Sequence, residues 1–419
     1  MNSNPSTQRA LQVAVAMMGA RRHYAIPQIL QNAGMLDRFF TDIHADTGWL
    51  RFAQSALPEI IRGDNLTRLL ERQSPGIPRD KIRSFPWFGL CRTLRSRSAK
   101  SPSQRLKTYL EWNREFGRRV CAHWPKSATA TYVFNGAGLE ILEHARSRNA
   151  KGFLDQTAAP WVVEETLLTE ERKRWPGWEF EGTTHSDWKP LADRESREWD
   201  MADVIVCGSE YVRESIRSIG GPAEKCAVVP YGVDSEAFTP RARDSQDIPL
   251  KVLFVGTIQL RKGIQYLMEA ARILKDKSVK IRAVGAARVS PEAIEQISGV
   301  IEFVGAVPRS GLRSEYDWAD VLVAPSISEG STNVCYEALA SGLPIITTPN
   351  AGSVVRDGIE GFIVPIRNSE AIAGKLGTLA ADRALIGRLS ANALQRAADF
   401  TWQKYGERLI SAITHEQAH

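Results

Sequence analysis

Residues 319–344 limit the fold more than any other stretch of this chain. Val321, Leu322 and Val323 form a short apolar run of strand type, and Pro325 to Thr332 read as a loop. The spacing then predicts a helix over Asn333–Ala340, stopped by a left-handed Gly342 with Pro344 just beyond. Strand, loop and helix in that order are the unit of a parallel sheet covered by helices. Glu329 is therefore expected on a loop at a strand's carboxyl end, and Glu337 along the following helix. Open α/β sheets bind ligands at such positions. The amides of Gly330, Ser331 and Thr332 are expected to point at an anion from the helix N-terminus.

The same alternation runs through the rest of the chain. Leu11–Met18 reads as a first buried strand; its apolar run after Arg9 also resembles a short signal-peptide core, but Gly19, Ala20, Arg21 and Arg22 read as a loop feeding a helix. Tyr132–Asn135, Gly152–Asp155 and Val204–Cys207 are further strands, with helices over Leu139–Arg148 and Glu210–Ser218. Residues 240–249, polar and flanked by prolines, read as a linker. A second series follows: strands at Lys251–Val255, Lys280–Val284, Ile301–Val304, Val321–Ala324, Pro344–Thr347 and Gly361–Val364, a helix at Ile264–Leu274, helical residues from Ser369 to Ala398, and a last amphipathic stretch near 403–413. A chain of 419 residues is long for one core, so two α/β domains are expected, each with a parallel sheet.

Composition removes several classes of function. The five cysteines and seven histidines show no metal-ligand spacing and no disulfide framework, which favours a reduced, cytoplasmic setting. No apolar run approaches the roughly 18 residues of a membrane span. The net charge of +6 is uneven: residues 51–125 hold 16 Lys and Arg against 6 Asp and Glu, a surplus of +10, so the remainder sums to −4. Within that basic segment, residues 81–107 interleave Lys81, Arg83, Arg92, Arg95, Arg97 and Lys100 with Phe85, Trp87 and Phe88. Such a patch suits either a solvated surface or an anionic membrane surface; no recognition motif supports nucleic acid as a partner. Trp161, Trp175, Trp178, Trp188 and Trp199 lie among acidic residues, read either as helices and a loop packed on the first domain or as a stacking platform for an acceptor sugar.

A second chemistry-bearing segment is Phe254-Val255-Gly256-Thr257, followed by Arg261, Lys262 and Gly263. A strand ends at a glycine loop, and two cations precede a helix. Adjacent Arg and Lys at a helix N-terminus suit a diphosphate. A third, weaker segment is Val228 to Asp234, where Gly232 permits a sharp turn.

These three segments, in this order, resemble the family 4 retaining glycosyltransferases of the GT-B architecture, closely over residues 200–405 and more loosely before them. The two glutamates with seven residues between them are the family's most specific mark. The resemblance implies two facing Rossmann-like domains with a cleft between them: residues 1–240 binding the acceptor, 241–398 binding the nucleotide sugar, and a C-terminal helix in 399–419 crossing back to the first domain. Carried over residue by residue, Arg261 and Lys262 hold the donor diphosphate, Glu329 binds the donor sugar and Glu337 the ribose. Gly256, Thr257, Gly330, Ser331, Thr332 and Asn333 line the donor site, and Gly19 faces the cleft from the first domain. The family needs no metal or other cofactor, and the chain contains no Asp-x-Asp pair.

Three positions depart from the family pattern. Thr257 stands where many members have Arg, Ser353 where many have Glu, and the run from Asp155 to Pro160 lacks the usual His. The expected activity is retaining transfer of a sugar from a nucleotide-diphosphate donor to a glycan or lipid-linked acceptor in envelope or exopolysaccharide assembly, in the cytoplasm or peripherally on the inner membrane face. The alternatives are a nucleotide-sugar 2-epimerase and a non-catalytic sugar-nucleotide-binding protein on the same fold. The lack of Gly-x-Gly-x-x-Gly argues against a dehydrogenase.

Overall fold

A computed structural model of the chain describes residues 11–45, 72–98, 101–179, 188–240, 249–274 and 278–414. Lys100, the side chain of Arg97 and residues 241–248 of the expected linker lie outside them. The chain divides into two compact units. One comprises residues 1–155, 185–206 and 410–419; the other comprises 156–184 and 207–409.

The first unit contains strands β1 (Val13–Met17), β2 (Leu36–Thr41), β3 (Ile82–Ser84), β4 (Ala130–Phe134), β5 (Lys151–Gln156) and β6 (Val204–Cys207), in the order β3-β2-β1-β4-β5-β6. The pairings among β1 to β5 are parallel. All five residues of β1 are buried. That fits an apolar strand covered on both faces, as a parallel sheet requires. The helices are α1 (Ala25–Asn32), α2 (Pro86–Ser98), α3 (Pro102–Ala122) and α4 (Leu139–Ser147). Ser101 starts α3 with a capping box, its hydroxyl accepting from the Gln104 amide at 3.2 Å.

The second unit opens with α5 (Trp161–Arg174); the chain returns to the first unit for α6 (Lys189–Met201) and then supplies α7 (Glu210–Ser218) and the short β7 (Cys226–Val228). Its sheet follows: β8 (Leu250–Val255), β9 (Val279–Val284), β10 (Glu302–Gly305), β11 (Val321–Ala324), β12 (Ile345–Thr347) and β13 (Gly361–Ile363), all parallel, in the order β10-β9-β8-β11-β12-β13. Helices α8 (Ile264–Leu274), α9 (Pro291–Ser298), α10 (Arg309–Trp318), α11 (Asn333–Ala340), α12 (Ser369–Ala381) and α13 (Arg383–Ala397) lie between and after the strands. The last helix, α14 (Trp402–Thr414), belongs to the first unit from Ile410 onward. The core of this unit joins Val252, Phe254 and Val323 of the sheet to Leu267 and Leu376 of the helices.

The tryptophan-rich segment departs from expectation. Trp178 is buried in the core of the second unit, and Trp175 stacks edge-on against Tyr266 at 6.1 Å. A buried carboxylate fixes the segment there: Glu171 of α5 accepts from Gln265 Nε2 and the Tyr266 hydroxyl, each at 2.8 Å, and from Arg367 Nε. Trp178 and Trp199 are both core residues, so neither presents a face for stacking on a sugar.

Candidate active site

In the second unit the chain winds outward from β8 through β9 to β10, then returns to place β11 on the other side of β8. Connections leaving β8 and β11 therefore depart in opposite directions, and a crevice opens at their carboxyl ends. Both chemistry-bearing segments are the loops that leave those two strand ends.

Gly256 follows β8 at φ 151°, a conformation that favours glycine, and its amide donates to the Val284 carbonyl at 2.9 Å. Thr257 beside it is half-buried. A single 3-10 turn, Leu260–Lys262, then presents the two cations before α8 begins. The Ile327 amide donates to the Arg261 carbonyl at 2.9 Å, so the loop after β11 is tied to that turn. Lys262 Nζ lies 2.7 Å from Glu329 Oε1, and Arg261 Nη1 lies 3.3 Å from the same oxygen. Arg261 also reaches the Ser328 carbonyl at 3.4 Å. Burial works against its charge, but the facing Glu329 and Glu164 hold it protonated.

Glu164 was not legible as a site residue. It comes from α5, and its Oε2 lies 3.7 Å from Arg261 Nη1. Ser328 Oγ donates to the same oxygen at 3.5 Å, and the Tyr211 hydroxyl of α7 donates to Ser328 Oγ at 3.2 Å. Burial pushes the Glu164 carboxyl above its ordinary range, against the pull of Arg261. No local motif marks it; only the packing of α5 brings it within reach.

Gly330 allows a close approach: a Cβ there would meet the Thr157 carbonyl oxygen at 1.8 Å. Its own carbonyl accepts from the Ser209 hydroxyl. The expected row of anion-facing amides is shorter than the sequence implies. The Thr332 amide and hydroxyl both donate to the Ala351 carbonyl, at 3.2 and 2.6 Å. Among the described residues, the amides of Gly330 and Ser331 have no protein acceptor. Ser331 Oγ is bonded to the Tyr336 hydroxyl at 2.8 Å, and Asn333 is exposed at the start of α11. Glu337 is buried, accepts from the Tyr316 hydroxyl at 2.7 Å, and is pushed up by that burial. Among the described residues, no cluster of His, Cys, Asp and Glu has the makings of a metal site.

The first unit has a switch point of its own, between β1 and β4. Gly19 sits after β1 at φ 73°, its amide donating to Asp42 Oδ1 at 2.9 Å. The buried Asp42 also pairs with Arg92 at 2.8 Å. Arg22, His23 and Tyr24 follow with φ of 47°, 52° and 61°, a left-handed run that side chains seldom adopt. The Arg22 guanidinium makes two hydrogen bonds to Asp155, at 2.6 and 2.9 Å, and the Tyr132 hydroxyl donates to that carboxylate at 2.7 Å.

The basic segment is less uniform than its composition suggests. Phe85 and Phe88 are core residues, and Lys81 donates to the Leu36 carbonyl at 2.6 Å. With Arg92 held by Asp42, the exposed members are Arg83, Arg95, Arg105 and Lys107, beside Trp87 at 71% exposure and Leu94 at 56%. No helix among the described residues is long and apolar enough to cross a membrane.

Comparison with known proteins places the second unit. Residues 249–382 match the family model of glycosyl transferases group 1. The chain is 31% identical over 228 residues to WcaL of Salmonella typhimurium, a glycosyltransferase named for colanic acid biosynthesis; the match covers 50% of this chain and 56% of that protein. It is 32% identical over 239 residues to a D-inositol 3-phosphate glycosyltransferase of Geodermatophilus obscurus, covering 51% and 52%. It is 27% identical over 189 residues to the amylovoran biosynthesis glycosyltransferase AmsK of Erwinia amylovora, covering 42% and 46%. The chain thus spans about half the length of the curated relatives it matches. Among solved structures, a sucrose-phosphate synthase of Thermosynechococcus elongatus superposes with a TM-score of 0.64 at 18% identity, covering 97% of this chain and 99% of that one. HepE of Anabaena, solved in complex with UDP, gives 0.62 at 13%, covering 97% and 100%. At those identities the likeness concerns fold alone. Residues 249–382 are a domain of the glycosyl transferases group 1 family, and the chain that carries them has the α/β fold of the GT-B glycosyltransferases.

Proposed function

We propose that the chain transfers a sugar, with retention of anomeric configuration, from a nucleoside-diphosphate donor to a glycan or lipid-linked acceptor. The carrying observation is the convergence of Arg261, Lys262 and Glu329 at the β8–β11 switch point. Two adjacent cations where a parallel sheet opens its ligand crevice suit a diphosphate better than any neutral ligand. In this reading Arg261 and Lys262 hold the diphosphate and stabilise it as it leaves. The amides of Gly330 and Ser331 assist, Glu329 accepts from donor-sugar hydroxyls and Glu337 from the ribose. Gly256, Thr257 and Asn333 line the site. The first unit, with the Gly19 loop, holds the acceptor. The leaving phosphate takes the acceptor's proton, so no side chain acts as a covalent nucleophile and no metal ion is invoked.

HepE was solved with UDP, and WcaL and AmsK are named for polysaccharide biosynthesis. They support a nucleotide sugar as donor and extracellular polysaccharide assembly as the setting. Trp87 and Leu94 with the neighbouring cations suit the cytoplasmic surface of an anionic membrane, where a lipid-linked acceptor resides.

The test is calorimetric binding of UDP, GDP, ADP and CDP, with Lys262→Ala as control. One nucleotide is expected to bind, and its binding to be lost in the variant. Binding by none removes the donor-site assignment. Conversion of the matching sugar nucleotide into its C2 epimer, without any acceptor, would favour the 2-epimerase reading.

A further inference from the structure

Two cations and two carboxylates share the crevice at the β8–β11 switch. Lys262 and Arg261 face Glu329 at 2.7 and 3.3 Å, and Arg261 faces Glu164 at 3.7 Å. Their charges cancel. A bound diphosphate adds at least two negative charges to a partly buried cluster, where repulsion is screened far less than in water. Neutralising one carboxylate relieves that repulsion, so the chemistry turns on which carboxylate accepts a proton most readily.

Glu164 is that residue by geometry. Its ion pair is the longest of the three. It arrives on α5, a different element from the loop bearing Glu329. Its protonated form is also satisfied in place. Ser328 Oγ has two lone pairs, one facing the Tyr211 hydroxyl at 3.2 Å and one available to a protonated Glu164 at 3.5 Å. The groups facing it are Arg261 on the turn after β8, Glu329 and Ser328 on the loop after β11, Tyr211 on α7 and Glu165 on its own helix. Burial, Glu329 and Glu165 all favour its neutral form, and Arg261 alone among the charges opposes them.

We propose that Glu164 is a proton-coupled counter-ion of the donor site: its carboxylate neutralises Arg261, and a binding diphosphate replaces it there while Glu164 takes up one proton from solvent. When the diphosphate leaves, the proton returns to solvent and the Glu164–Arg261 pair re-forms. Glu164 acts through Arg261 and is a positioning residue. The proposal rests on the donor-site reading above and adds to it a linkage between donor affinity and pH.

The sign follows from the direction of the shift. An added anion raises the Glu164 pKa further, so binding is linked to proton uptake between its free and bound values. Across that window affinity falls as pH rises. The experiment is titration calorimetry of the full chain with UDP-glucose, and in turn GDP-mannose, at a series of pH values from just above the ordinary carboxylate range upward, in buffers of different ionisation heat. A sugar nucleotide is chosen because its diphosphate has no proton that titrates near neutrality. Wild type is expected to take up as much as one proton per site, with affinity falling by up to about tenfold per pH unit. Glu164→Gln is expected to lose that uptake and to bind with an affinity that falls less steeply with pH; Glu164→Ala serves if the glutamine variant does not fold. Clear binding by wild type without proton uptake, or equal uptake in the variants, overturns the proposal. No binding of any sugar nucleotide by wild type overturns the donor-site reading and this proposal with it.

Discussion

Lys262 and Glu329 are 2.7 Å apart, and each is predicted to be needed for transfer rather than for folding. Both lie on loops whose backbones are held independently, by the Ile327–Arg261 bond and by the Glu329 amide on the Asn350 carbonyl at 3.0 Å. Removing either side chain should leave those bonds intact. Lys262→Ala and Glu329→Ala are therefore expected to lower kcat/KM by about 10²–10³, the usual cost of one well-placed stabilising group, while the chain still folds as judged by circular dichroism. Loss of folding in both would reduce the pair to a structural ion pair. The residue scale is also where sequence reading was least complete. Arg261, Lys262, Glu329 and Glu337 were legible because each sits at a fixed offset from a strand end or a helix start. Glu164 was not, because its partners lie 97 and 164 positions away (261 − 164; 328 − 164).

At the scale of elements, α5 is held to the rest of the second unit by Glu171, whose carboxylate accepts from three groups: Gln265 Nε2, the Tyr266 hydroxyl and Arg367 Nε. Removing one partner of a buried charge network leaves the others desolvated without an acceptor. Glu171→Ala should cost about 3 kcal/mol in denaturant unfolding, near the low end for such pairs because Glu170 remains on Arg367 at 2.7 Å. An unchanged midpoint would mean that α5 is held by Trp178 and its apolar neighbours alone. Element boundaries followed local chemistry closely. The helical run expected from Ser369 to Ala398 is two helices, because Asp382 adopts a non-helical conformation and caps α13 through the Leu385 amide at 2.9 Å. The expected strand at Pro344 begins one residue later, since proline has no amide to donate to the ladder. β2 escaped notice because Asp37 and Arg38 interrupt its apolar run, and β3 because it is three residues long.

For the molecule as a whole, the buried carboxylate of Glu198 gives stability a pH dependence. It accepts from the amides of Gly136, Gly138 and Leu139 at the start of α4, yet its burial pushes its pKa from 4.5 to about 7. The folded chain then keeps a proton up to about pH 7 that the unfolded chain releases near 4.5. Between those values the folded state binds more protons, so stability falls as pH rises, by at most about 1.4 kcal/mol per unit. Glu198→Gln should flatten that slope in urea unfolding at pH 5, 6 and 7; an unaltered slope would assign it to other groups. Membrane attachment is the other whole-molecule property. Vesicles containing anionic lipid are expected to bind the chain in a salt-sensitive way, and the double substitution Trp87→Ala, Arg95→Ala to weaken that binding several-fold without loss of stability. Arg92 is a poor choice for that test, since its partner Asp42 anchors the Gly19 loop.

Read alone, the sequence determined the two α/β series, the strand ends on which the site is built, and the chemistry of the Arg261–Lys262 and Glu329–Glu337 segments. These are local properties: apolar runs set strands, glycine and proline set turns, and residue offsets place side chains at carboxyl ends. Tertiary structure decided what depends on distant partners. It placed Glu164 on Arg261, directed the Thr332 amide to Ala351 and away from the expected anion, put Trp178 in the core of the second unit, and withdrew Lys81, Arg92, Phe85 and Phe88 from the basic surface. Spacing along the chain carries no information on which buried donor meets which acceptor; only packing settles that.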